Sequence, residues 1–70
     1  MVETVDARGL LCPEPVLLTK KVIEGKQGGT VNVLVDNAAA KENVTRLAEN
    51  KGWQVSVSSN GNEYILILNR

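Results

Sequence analysis

The chain contains only two prolines, Pro13 and Pro15, one residue apart and directly after its single cysteine, Cys12. Such a pair cannot sit in a central strand or a helix interior, because each proline lacks a backbone N–H and its ring clashes with the preceding turn. It is tolerated in the first turn of a helix, where those N–H groups have no intrahelical partner. The run Cys12-Pro13-Glu14-Pro15 therefore marks a helix start, with Cys12 at the N-cap and Pro13 opening a helix that extends to about Glu24. Gly25 and Gly28-Gly29 end it.

The remaining elements follow from periodicity and turn residues. Residues 2–6 are short and β-branched and read as a first strand. Residues 7–11 connect it to the helix, with Gly9 free to adopt a left-handed backbone. In residues 30–36, Val31, Val33 and Val35 alternate with Thr30, Asn32 and Leu34, the pattern of a second strand. Asp36 or Asn37 caps a second helix over residues 38–51, and Gly52 stops it. Residues 53–58 form a third strand with Trp53, Val55 and Val57 on one face. The Asn60-Gly61 pair signals a hairpin into a fourth strand over residues 63–68. The order is β-α-β-α-β-β within one domain spanning residues 1–70, without repeat, linker or low-complexity segment. Right-handed crossovers give an α+β fold, a two-layer α/β sandwich with both helices on one face of a four-stranded mixed sheet.

Projection at 100° per residue assigns a core face to each helix. In the second, Ala40, Val44, Leu47, Ala48 and the stem of Lys51 form one stripe, opposite Glu42, Arg46 and Glu49. In the first, Pro15, Val16, Leu18, Thr19, Val22 and Ile23 face the sheet. Leu17 falls instead among Glu14, Lys20, Lys21 and Glu24. A lone surface leucine is ordinarily neutral, but this one stands five residues from Cys12 and is a candidate docking contact for a partner. The other face of the sheet carries Leu34 with either Ile65 and Ile67 or Tyr64, Leu66 and Leu68, depending on register.

Eight basic and eight acidic side chains leave no net charge. Neutralising nucleic-acid phosphates requires a basic excess, and Trp53 and Tyr64 are the only aromatic side chains to stack bases, so nucleic-acid binding is disfavoured. One cysteine and no histidine exclude an internal disulfide, a Cys/His metal site and a Cys-His catalytic pair within the chain. No stretch approaches the roughly 18 apolar residues of a membrane span, and residues 1–6 lack the features of a signal peptide. These features fit a soluble protein of the reducing cytoplasm that needs no cofactor or metal.

Cys12 is then the candidate reactive group. A lone cysteine is commonly an inert buried side chain, but the positive end of a helix dipole favours the thiolate, the nucleophilic form. Between the two prolines only Glu14 retains an N–H to offer the sulfur. Arg8 adds positive charge if its loop folds back, whereas the Glu14 carboxylate opposes ionisation, so the net direction of the thiol's shift stays open. The connection bearing Asp36 and Asn37 leaves the carboxyl end of a parallel neighbour, the edge at which α/β proteins gather their sites. Each is also a simple helix cap. A thiolate without a base can attack the outer sulfur of a persulfide and pass that sulfur on by exchange.

The segment Asp6-Ala7-Arg8-Gly9-Leu10-Leu11-Cys12-Pro13-Glu14-Pro15-Val16 closely resembles the Cys-Pro-x-Pro signature of the TusA/SirA/YedF family. Length and element order match along nearly the whole chain, and residues 35–44 are similar to the YedF-like branch, which is associated with selenium metabolism. The resemblance implies a sulfurtransferase-type carrier holding a persulfide on Cys12. Sulfur would arrive from a cysteine desulfurase or rhodanese-type donor and leave for an acceptor protein, towards tRNA thiolation or thio-cofactor routes. YedF-type members often carry a second, DsrE-like domain, so the chain is either free-standing or an excised N-terminal domain. The competing reading is a non-catalytic interaction or regulatory module in which Cys12 is only a helix cap.

Overall fold

The computed structural model describes residues 2–11 and 13–70; Met1 and Cys12 lie outside the described residues. The element order is β1 (Val2–Asp6), α1 (Glu14–Glu24), β2 (Thr30–Val35), α2 (Ala38–Asn50), β3 (Gln54–Asn60) and β4 (Glu63–Asn69). The sheet order is β1-β2-β4-β3. β1 runs parallel to β2, while β4 is antiparallel to both β2 and β3, giving the expected mixed sheet. The α2 crossover carries the chain past the place that β4 later fills. The two-residue loop Gly61-Asn62 then turns β4 back between β2 and β3. Gly61, with φ 64°, takes the first loop position, where hairpin turns of this length favour glycine.

Alternation in β2 places Val31, Val33 and Val35 on the helix-covered face, all fully buried. Leu66 and Leu68 of β4 stand opposite Val33 and Val31 and are equally inaccessible. Val5, Trp53, Ile23, Ala40, Val44 and Ala48 complete this core. Small alanines on α2 let the helix approach the sheet closely, as the predicted stripe requires. On α1, Thr19 is fully buried and its hydroxyl donates to the Pro15 carbonyl at 2.9 Å, so no polar group is left unpaired there.

Register settles the open face. Leu34 pairs with Ile65, and Asn32 with Ile67, so Ile65 and Ile67 share that face with Leu34 while Tyr64 lies on the helix side. Tyr64 receives the Lys41 ammonium 4.9 Å above its ring. Two expectations change. Leu18, expected against the sheet, is more than a third exposed. The Lys51 side chain is likewise exposed, in a long ion pair with Glu24. Val57 shares the helix-side face of β3 with Val55, as expected, and is 45% exposed there, beside the polar flank of α2 at Lys41, Glu42 and Thr45.

A core this small makes each large side chain matter. At roughly 0.05–0.15 kcal/mol per residue the whole fold is worth only about 4–10 kcal/mol. Leu66→Ala removes a fully buried side chain at the sheet centre and is expected to cost about 2–5 kcal/mol in denaturant unfolding. A loss below about 1 kcal/mol would show that the core is not organised around this position.

Candidate functional site

β1 does not release the chain when its strand ends. The Ala7 N–H donates to the Leu34 carbonyl at 2.9 Å, and Ala7 is buried. The backbone then turns at Gly9, whose φ of 77° favours glycine although no neighbour would meet a side chain there. This turn aims the Gly9 N–H at the Asp36 carboxylate, which accepts it through Oδ2 at 2.7 Å. A charged acceptor makes this a short, strong hydrogen bond. The other Asp36 oxygen accepts from Asn37 Nδ2 at 3.2 Å, and Asn37 Oδ1 in turn accepts the Ala40 N–H at 2.7 Å. Asn37 is thus the cap of α2, and Asp36, the alternative cap, fastens the 7–11 segment to the start of that helix.

Arg8 is tied to two carboxylates of the sheet. Its Nε and Nη2 engage the two Asp6 oxygens at 2.9 Å each, and Nη1 reaches Glu63 at 3.3 Å. The guanidinium therefore spans from β1 to β4 across the open face, and its charge is offset by two carboxylates. The Arg8 side chain's hydrogen bonds to Asp6, reinforced by the Arg8 backbone N–H, hold the Asp6 carboxyl at about 2, below its ordinary 3.8. Asp6 first and Glu63 second raise Arg8 above its ordinary value. Neither acid was singled out from the sequence. Asp6 stands two residues from Arg8, a local signal, whereas Glu63 is reached only through the sheet register.

The helix start differs by one residue from expectation. The Leu17 N–H donates to the Pro13 carbonyl at 3.1 Å, the first bond of α1, which puts Pro13 at the N-cap and Glu14 at the first helical position. Cys12, expected at the cap, falls one residue earlier in the chain and outside the described residues. The cap position belongs to Pro13, which offers no capping side chain. The Glu14 N–H, expected to be free for the sulfur, donates instead to the Leu11 carbonyl at 2.9 Å. That bond ties the first residue of α1 back to Leu11. Pro15 is buried as part of the core-facing side of α1.

Apolar side chains gather on the surface nearby. Leu11 is 83% exposed, and Leu17 and Leu18 line a shallow groove on α1 with Glu14, Lys20, Lys21 and Glu24. Sequence reading singled out Leu17 but missed Leu11 and Leu18. Leu11 carried no periodic signal, and Leu18 projects towards the core on an ideal wheel. Among the described residues no three metal-ligating side chains cluster, and no helix is long and apolar enough to cross a membrane.

The structure thus brings Gly9, Asp36 and Asn37 into one hydrogen-bonded connection. This architecture is that of the SirA-like proteins. The crystal structure of a SirA-like protein from Desulfitobacterium hafniense superposes with a TM-score of 0.87 at 35% identity, over 99% of this chain and 96% of that one. The sequence model of the family described as Sulfurtransferase TusA matches residues 3–70, and the chain belongs to that family. A protein of Methanocaldococcus jannaschii named as a sulfur carrier is 44% identical over 52 residues, 73% of this chain and 69% of its own. A like-named protein of Archaeoglobus fulgidus is 35% identical over 52 residues, covering 73% and 68%.

The Asp6–Arg8 pair carries a pH signature. Because the folded carboxyl is held low, its stabilisation is complete above the unfolded value of 3.8 and lost as pH falls towards about 2. The difference in denaturant midpoint between the wild type and Asp6→Asn should therefore be constant at neutral pH and shrink over that acid window. A difference that does not change there would contradict the pairing.

Proposed function

We propose that this protein is a sulfur carrier that holds sulfur as a persulfide on Cys12. The observation that carries the reading is membership of the TusA family across residues 3–70, with Cys12 in the Cys-Pro-x-Pro position. In the loading step the Cys12 thiolate attacks the terminal sulfur of a donor persulfide. The new S–S bond forms on Cys12 as the donor's own S–S bond breaks, and the donor cysteine departs as a thiolate. Delivery is the same exchange in reverse sense: an acceptor thiolate or other nucleophile takes the terminal sulfur and Cys12 leaves as thiolate. Neither step changes the net oxidation state of the pair, so no external oxidant enters.

The surrounding residues have consistent roles in this reading. Gly9, Asp36 and Asn37 hold the segment that leads to Cys12. Pro13, Pro15 and the bond from the Glu14 N–H to the Leu11 carbonyl limit the backbone that follows, and Arg8, tied to Asp6, steadies the loop from the open face. Leu11 and Leu17, exposed on either side of Cys12 in sequence, supply apolar contact for the proteins that bring and take sulfur. A cysteine desulfurase or rhodanese-type enzyme is the donor class, and the acceptor is a protein serving tRNA thiolation, cofactor sulfur or selenium metabolism. The reducing cytoplasm suits a persulfide that must stay exchangeable.

The test is intact-protein mass spectrometry after incubation with a cysteine desulfurase and cysteine. The wild type should gain about 32 Da, reversible by reductant, and Cys12→Ser should gain nothing while keeping its far-ultraviolet circular dichroism. Equal sulfur loading of the two proteins, or none on the wild type, would overturn the proposal.

A further inference from the structure

The sheet has two edges, and they are treated differently. β1 carries Glu3 and Asp6, each in an ion pair, with Lys26 at 3.1 Å and Arg8 at 2.9 Å. Charged side chains of this kind discourage a second strand from adding to an edge. β3 is seven residues long, Gln54-Val55-Ser56-Val57-Ser58-Ser59-Asn60, with no charge and no proline, and among the described residues nothing covers its outer side. Val57 at its centre is one of the few large apolar side chains of the protein left exposed.

The hairpin register tells which backbone groups are free. Asn60 and Glu63 close a two-residue loop, and in such hairpins the closing pair exchanges both backbone hydrogen bonds. Bonded pairs then recur at Ser58–Ile65, Ser56–Ile67 and Gln54–Asn69. The N–H and C=O groups of Val55, Val57 and Ser59 point the other way, to the bare edge. The same alternation carried across β4 and β2 leaves the Leu34 carbonyl facing β1, where Ala7 meets it at 2.9 Å.

We propose that β3 pairs antiparallel with β3 of a second copy of this chain about a two-fold axis through Val57, forming a continuous eight-stranded sheet. That axis sets Val57 against the second copy's Val57, and Val55 and Ser59 against its Ser59 and Val55. Each of these three pairs exchanges two hydrogen bonds, so every outward backbone group of the three residues is satisfied. On the open face Ser56 meets Ser58, and Gln54 meets Asn60. Across the helix side the exposed valines cover each other. No charged side chain of one β3 lies opposite one of the other, and a chain of zero net charge does not repel its copy. β3 is the far margin of the sheet from β1, so the 7–11 segment stays uncovered in the pair.

Sedimentation velocity on the intact protein, from micromolar to about 1 mM, tests this together with amide exchange by NMR. The apparent mass should rise with concentration towards twice the 7.6 kDa of one chain. Over the same range the Val55, Val57 and Ser59 amides should slow by roughly tenfold or more, with Ser56 and Ser58 unchanged. Val57→Lys and Ser59→Lys alter exposed positions, so both should keep the wild-type melting temperature and remain single chains throughout. A wild type of single-chain mass at every concentration would overturn the proposal. So would a dimer whose three edge amides stay fast, as in stacking through Leu34, Ile65 and Ile67, or one that survives both lysine substitutions.

Discussion

The 2.7 Å hydrogen bond from the Gly9 amide to the Asp36 carboxylate joins parts of the chain that no strand pairing connects. On one side is the segment leading from β1 towards Cys12; on the other is the junction of β2 and α2. Gly9 reaches it because its backbone adopts a positive φ, and Asp36 holds still because Asn37 grips its second oxygen while capping α2. A loop in a 70-residue fold has little core to lean on, and a charge-assisted bond to a helix start replaces that packing. Arg8 adds a second tie on the opposite face of the same segment, between Asp6 and Glu63.

The division of labour follows from the layers. Valines of β2 and leucines of β4, buried under both helices, form a rigid platform, and its parallel pair β1–β2 delivers two connections to one end of the sheet. Rigid elements hold a reactive group better than loops do, and here the loop borrows rigidity from the elements on either side. The apolar surface left at Leu11, Leu17 and Leu18 is compatible with transient contact, since a carrier must be released by each partner it meets.

Much of this was legible in the residues. Glycine and proline punctuation, with the alternation of β2, suffices for element order and layers, because those signals are local. The left-handed turn at Gly9 is local as well. Choices between equivalent local signals were not legible. Asp36 and Asn37 are both good caps, and only the fold brings Gly9 to one of them. Ile65 and Leu66 are both apolar, and only the pairing of Leu34 with Ile65 decides which faces the helices. The one-residue shift of the helix start shows in the bond from the Leu17 N–H to the Pro13 carbonyl, which a helical wheel does not contain. Glu63 lies 55 residues from Arg8, and no sequence pattern links them. The sulfur cargo rests on family membership and not on geometry.

We propose that the Gly9–Asp36 bond, by fastening the 7–11 segment to the start of α2, speeds the transfer of sulfur from another protein's persulfide to Cys12. The most direct measurement compares wild type and Asp36→Ala in the rate at which Cys12 takes sulfur from a persulfidated donor, with alkylation by a small reagent as control. Asp36→Ala should show a roughly tenfold slower protein-to-protein transfer, because misplacement by an ångström is enough to lose such a factor, with the alkylation rate nearly unchanged. Equal transfer rates in the two proteins would contradict it.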